Sequence, residues 1–306
     1  MISILLLYKI FQLFIFMVLG FVLVKSKIVN SNDSKVLSQV SLYLLMPAAI
    51  INSFDITVKS DIADGLIVSF LAAIAIHIIL FAVDAVYKRF FHGTNVERAS
   101  IIYPNAANLI LPIVSFLLGE EWVIYTCSFI SVQMLFIWTH CISLFSDKKF
   151  NIKKIICNVN IIAIFVGAVL MISGIKLPAV VKDVVSPLGS MLGPIGMIIA
   201  GMVAANINYK ECLKNKRMYL VVFMRLVICP LILLFLMKLL KYIPITNIDK
   251  ILLISFLSCM TPSASTVMQF AQISNDNEAY ATAINIVSTI LCIVTMPAFV
   301  WLYNLI

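Results

Sequence analysis

Ten apolar runs dominate the sequence, each close to the ~20 residues that cross the hydrocarbon core of a bilayer. They fall at 4–24, 36–54, 62–87, 97–118, 122–145, 155–175, 184–206, 218–240, 250–272 and 279–303. Of the 306 residues, 62% are hydrophobic and 12% charged, about half the charged share of a soluble domain. No water-soluble fold hides that much apolar surface, and in lipid a chain must satisfy its own backbone groups. The expected class is an all-α membrane protein with ten transmembrane helices and short loops. No nucleotide-binding loop, HExxH or GxSxG occurs. The chain is therefore not expected to be an enzyme, and no cofactor or metal is implied.

A formal charge of +8 would suggest nucleic acid as the partner of a soluble protein. Here orientation accounts for it, and no nucleic acid is expected. With the first residue outside, Lys and Arg favour the five inner loops about two to one. By the positive-inside rule, both termini of a multi-pass protein then lie on the extracellular side of the plasma membrane. The seven cysteines mostly sit within apolar runs and form no CxxC pair, so they read as small core residues. The first 24 residues lack a basic n-region and a cleavage site and read as the first span rather than a signal.

The two halves of the chain echo one another. YPNAANL, from Tyr103, leads to Gly119, Glu120 and Glu121; TPSASTV, from Thr261, leads to Asp276, Asn277 and Glu278. LLMPAAII around Pro47 is matched by LGPIGMII around Pro194. This order predicts two repeats, 1–150 and 151–306, of five helices each. An odd number of spans inverts one half relative to the other, the architecture of many secondary transporters. The second run, with Ser38, Gln39 and Ser41, and the seventh, rich in Gly and Pro, are expected to pack against protein rather than lipid.

Two runs carry the chemistry. The fourth holds Tyr103, Pro104, Asn105 and Asn108, then Pro112; the ninth holds Thr261, Pro262, Ser263, Ser265, Thr266, Gln269 and Gln272. Proline removes a backbone donor and pushes the preceding residue out of helical space. Asparagines beside it are costly in hydrocarbon unless they meet partners. Both runs therefore read as helices broken near the membrane midplane. A broken helix offers the amides of its second half, with about +0.5 charge. Two such ends from antiparallel helices would hold a carboxylate or similar anion. Asn105, Asn108, Ser263, Ser265, Thr266 and Gln269 would add neutral hydrogen bonds. No Asp or Glu lies between Pro104 and Pro112 or between Pro262 and Gln272, which argues against a carboxylate-based Na⁺ or H⁺ site.

These residues, with Gly20 to Lys25, LSQVSLYLLMPAAIINSF, the Asn105–Pro112 segment and MTPSASTVMQFAQISNDNEAYATAINIVSTILCIVTMP, resemble the auxin efflux carrier family, the bacterial relatives of plant PIN-formed transporters. The resemblance runs over essentially the whole length. It implies an NhaA-like fold in which helices 4 and 9 cross. A scaffold of 1–60 plus 151–210 would support a transport domain of 61–150 plus 211–306. It also implies a homodimer through the scaffold, small organic anions as cargo, and Pro104, Asn105, Pro262 and Ser263 at the crossing. One difference is that Ala106, Ala107 and Asn108 stand where the family has a glycine-rich stretch. The expected activity is secondary transport by elevator-like alternating access. Alternatives are a sodium-coupled organic-anion symporter of the bile-acid type and a membrane ligand sensor that does not transport.

Other polar residues have two readings each. Asp84 and Lys88, at i and i+4, form an interfacial pair or a support site that couples charge to movement. Arg225 snorkels to the inner interface, or pairs with Asp84 or attracts an anion. His77 is a buried neutral histidine or a proton relay. Gln133 and His140 share a helix face and pack on the fourth span. Trp122, Trp138 and Trp301 are expected to anchor span ends in the lipid interface.

Overall fold

A computed structural model describes residues 2–55, 63–106, 109–110, 113–114, 118–119, 122–146, 157–206 and 214–305. Among these the structure is helical apart from one isolated β-bridge. Helix α1 spans Ile2–Lys25. Helix α2, Ser34–Val40, continues through a π-helical turn at Ser41–Leu45 into α3, Met46–Phe54. Then come α4, Ala63–Phe91, α5, Asn95–Ile102, and α6, Val123–Phe136, which ends in a second π turn, Ile137–Cys141. The second half holds α7, Val159–Ser173, α8, Ala179–Ser190, and α9, Leu192–Ala204. Helix α10, Lys216–Phe223, passes through a third π turn, Met224–Ile228, into α11, Cys229–Leu240. Helices α12, Ile248–Cys259, α13, Ser265–Ser274, and α14, Glu278–Leu305, complete the chain.

Six helical stretches among the described residues are long and apolar enough to cross a membrane: Ser31–Asn52, Asp64–Phe91, Val123–Leu144, Ala179–Ala204, Lys216–Leu240 and Glu278–Leu305. Phe11–Lys25 and Val159–Ser173 are shorter apolar helices. The runs at 97–118 and 250–272 are interrupted and so supply no helix of spanning length. The protein is thus a multi-pass, all-helical membrane protein.

Two of the π turns precede a proline. Met46 N–H bonds to the Ser41 carbonyl and Cys229 N–H to the Met224 carbonyl, five residues back in each case. Pro47 and Pro230 follow at once. A proline offers no N–H to the carbonyl four residues back, and the wider turn absorbs that missing bond without ending the helix.

Packing forms two sets. Helix α1 lies against α9, while α7 and α8 lie against α3. Small residues allow the close approach: a Cβ on Gly20 would strike the Ile198 carbonyl, and one on Gly201 the Met17 carbonyl. In the other set α4 packs on α6 and α12, and α14 packs on α5, α10 and α13. The sets meet where α1 and α9 touch α14, where α3 and α7 touch α6, and where α2 and α9 touch α13. Along the last of these contacts Ser34, Ser38 and Ser41 are fully buried. Ser38 Oγ donates to Gln272 Oε1, Gln272 Nε2 to Ser34 Oγ, and Gln269 Nε2 to Ser41 Oγ (3.1 Å). The polar face of the second run is therefore turned to protein. Elsewhere apolar residues face outward, as with Ile67, Leu71, Ile74 and Ile78 on one face of α4.

Trp301 is exposed, and Trp122 lies under the Lys250 ammonium at 4.8 Å. Trp138, expected with them at a span end, is not at the surface. It is buried against Met46 and stacked edge-on to Phe270, because α6 continues past it through the π turn and turns its ring inward.

Candidate functional site

The site grows from two local interruptions. Helix α5 begins with a capping box: Glu97 N–H donates to Thr94 Oγ1 (3.3 Å) and Thr94 N–H to Glu97 Oε2 (2.9 Å). It stops at Ile102, because Pro104 holds Tyr103 in extended backbone (φ −98°, ψ 111°). Helix α12 stops at Cys259, before Pro262; the chain is extended again at Ala264 (φ −65°, ψ 136°) and re-enters helix at Ser265.

The two extended segments pair antiparallel, Pro104 opposite Ser263. Asn105 N–H donates to the Pro262 carbonyl (2.8 Å) and Ala264 N–H to the Tyr103 carbonyl (2.9 Å). Side chains satisfy what remains. Gln133 Nε2 donates to the Pro104 carbonyl (2.6 Å), and Asn285 Nδ2 to the Ser263 carbonyl (2.7 Å). Ser263 N–H donates to Ser288 Oγ (3.2 Å). Unpaired backbone groups at this depth would each cost free energy comparable to a lost hydrogen bond, and the joint meets them from both halves of the chain.

Arg225 completes the joint. Its guanidinium is fully buried and donates to the carbonyls of Ile101 (2.9 Å), Thr261 (3.1 and 3.2 Å) and Cys259. These carbonyls end the first halves of both broken helices, where the macrodipole is negative. The snorkelling expected for Arg225 is thus replaced by a buried cap. It does not pair with Asp84. The interruption creates buried carbonyl acceptors, and they hold the guanidinium inside the protein.

Beside the joint lies a narrow cavity of about 10 Å³, room for about one water. Pro104, Asn105, Ala106 and Gln133 line it from one side, and Ala264, Ser265, Thr266 and Gln269 from the other, with Met46, Met134 and Leu192. Among the described residues no charged side chain lines it. Ser265 and Thr266 open α13, so the positive end of that helix faces the cavity. A family model described as membrane transport protein matches residues 5–152 and 148–300. The chain belongs to the auxin efflux carrier family. It is a membrane transporter. No curated protein matches it.

Of the remaining candidates in this auxin efflux carrier family member, Pro262 and Ser263 form the joint but do not line the cavity. Asn108 and Pro112 lie outside the described residues. The pairing of Asp84 with Lys88 is not present. Asp84 instead takes a two-pronged contact from Arg98, 2.7 Å at the shortest, and Lys88 is exposed. The planar fork of arginine matches a carboxylate in a way a single ammonium does not, and α5 brings it to α4. His77 is buried, Nδ1 against the Ala73 carbonyl at 2.8 Å, between the rings of Phe129 and Phe136. Gln133 and His140 both reach the fourth span: the Tyr103 hydroxyl donates to the Phe136 carbonyl (3.0 Å) and contacts His140 Nδ1 at 2.8 Å. Among the described residues no group of His, Cys, Asp and Glu could hold a metal ion.

Asn285, Ser288 and the capping role of Arg225 were not expected from sequence. A signal for the first two exists: Asn285 and Ser288 are polar at i and i+3 inside an apolar run, as Gln133 is in the other half.

Proposed function

We propose that this transporter carries small organic anions across the plasma membrane by alternating access, with the anion held at the crossing of the two broken helices. The observation that carries this reading is the pairing of Pro104 with Ser263 beside a cavity whose described lining is uncharged and which the α13 N-terminus faces. Partial positive charge and neutral donors suit a carboxylate, and a lining with no acidic side chain among the described residues does not repel it. The transport domain, 61–150 plus 211–306, slides in elevator fashion against the scaffold, 1–60 plus 151–210, and two copies join through the scaffold. As it stands the cavity is closed to an organic anion, so binding requires α6 and α13 to part. In proteoliposomes, Asn105→Ala and Ser265→Ala proteins, each altered in a residue that lines the cavity, are expected to insert normally and lose at least tenfold in anion uptake. Wild-type rates in both would remove the crossing from the mechanism. Uptake with and without a Na⁺ gradient separates a uniporter from a sodium-coupled symporter.

A further inference from the structure

One buried acceptor at the crossing is left over. Gln133 is 2% exposed and lines the cavity. Its Nε2 donates to the Pro104 carbonyl at 2.6 Å. A carbonyl can only accept, so the amide cannot be turned the other way. Its Oε1 therefore faces away from Pro104, and among the described residues it has no hydrogen-bond partner. Gln269 Oε1, 1% exposed and lining the same cavity, also has none. Buried polar atoms are paired in the great majority of cases, and an exception calls for a reason.

We infer that the crossing selects anions that also carry a hydrogen-bond donor, a hydroxyl or N–H, which Gln133 Oε1 accepts. Hydroxy acids are then preferred to the corresponding deoxy and keto acids. The inference rests on the crossing being the binding site. The cavity has room for about one water, which can donate to Gln133 when no cargo is present. A ligand that displaces such a water without reproducing its hydrogen bonds loses affinity. A carboxylate oxygen or keto oxygen set against Gln133 Oε1 would place lone pair against lone pair. A hydroxyl satisfies the acceptor while the carboxylate takes the α13 N-terminus. Sites built around a buried polar group reject analogues that leave it unpaired far more strongly than apolar pockets reject a missing methylene.

The test is uptake of matched anions by the full chain in liposomes: lactate against propionate and pyruvate, and malate against succinate. The hydroxylated member of each set is expected to be favoured about tenfold or more. In Gln133→Leu that ratio is expected to fall towards one. A purely structural role for Gln133 would lower all rates together and leave the ratio unchanged. Equal wild-type rates within each set overturn the inference while the crossing reading stands; so does an unchanged ratio in Gln133→Leu. Equal rates that require Na⁺ also overturn it, because the oxygen then serves a cation. The wild-type comparison decides even where the variant fails to insert. Should neither set be taken up, and Asn105→Ala and Ser265→Ala bind every anion of the panel as wild type does, the crossing reading itself fails and this inference with it.

Discussion

Arg225 is fully buried and, among the described residues, has no carboxylate in contact; an isolated cation in such a place is costly. Its stability comes from carbonyls at Ile101, Cys259 and Thr261, each of which would otherwise be a buried acceptor without a donor, at about 1–3 kcal/mol apiece. Lysine keeps the charge but not the fork that reaches three carbonyls on two helices. Arg225→Lys is therefore expected to insert, to melt at lower temperature in detergent, and to lose at least tenfold in uptake. Wild-type values of both would show that the charge alone suffices. The sequence made this residue visible as a cation in an apolar run, but not its partners. The acceptors sit 34, 36 and 124 positions away and exist only because two other helices stop short. Asp84 teaches the same lesson: its neighbour in sequence, Lys88, lost to Arg98, which the turn between α4 and α5 brings within 2.7 Å. By contrast, Pro104 and Pro262 were legible because proline acts on the residue beside it, and that local effect survives any tertiary context.

At the level of elements, the contact of α1 with α9 is made by backbone, with Gly20 and Gly201 each under the other helix. A methyl at Gly201 would strike the Met17 carbonyl, and a backbone atom cannot swing aside as a side chain can. Gly201→Ala is expected to cost about 1–3 kcal/mol of stability, read as a lower midpoint of thermal unfolding in detergent. An unchanged midpoint would place the two helices further apart. A second link between elements is electrostatic. Lys182 of α8 donates to Asp55, just past α3, at 2.7 Å. That hydrogen bond, helped by the charges of Lys182 and Lys176, holds the Asp55 carboxyl below the ordinary value of 3.8 although burial opposes it. The folded state thus gives up this proton more readily than the unfolded chain. The link contributes fully above pH 3.8 and is lost as pH falls through the lowered value. Because Lys182 is half-exposed, the contribution is about 0.2–1 kcal/mol. The gap in thermal midpoint between wild type and Asp55→Asn is expected to close as pH drops below 3.8; a gap that persists there would mean the carboxylate's charge is not what matters. The helices themselves were legible from hydropathy, whereas the π turns were not, since their cause is a missing N–H whose remedy depends on how the preceding turn can widen.

For the whole molecule, the contact of α2 with α13 is the place where the proposed scaffold and transport domain touch through polar groups. Serines at 34, 38 and 41 meet Gln272 and Gln269, and hydroxyls repeated at one-turn intervals can exchange partners when one helix moves by about 5.4 Å along the other. With exposed Cys157 replaced by Ser, a Ser38→Cys and Gln272→Cys pair is expected to cross-link readily, to stop uptake when joined and to recover it on reduction. Full uptake in the joined state would mean that this contact does not move. The joint between Pro104 and Ser263 has a different consequence. Its own two hydrogen bonds run main chain to main chain, and so they depend little on which side chains stand at those positions. In the proposed mechanism, by contrast, cargo preference is written in the neighbouring Asn, Gln and Ser residues. A lineage built on this frame is free to exchange one solute for another by changing a few amides and hydroxyls, while the knot that ties its two halves together stays as it was.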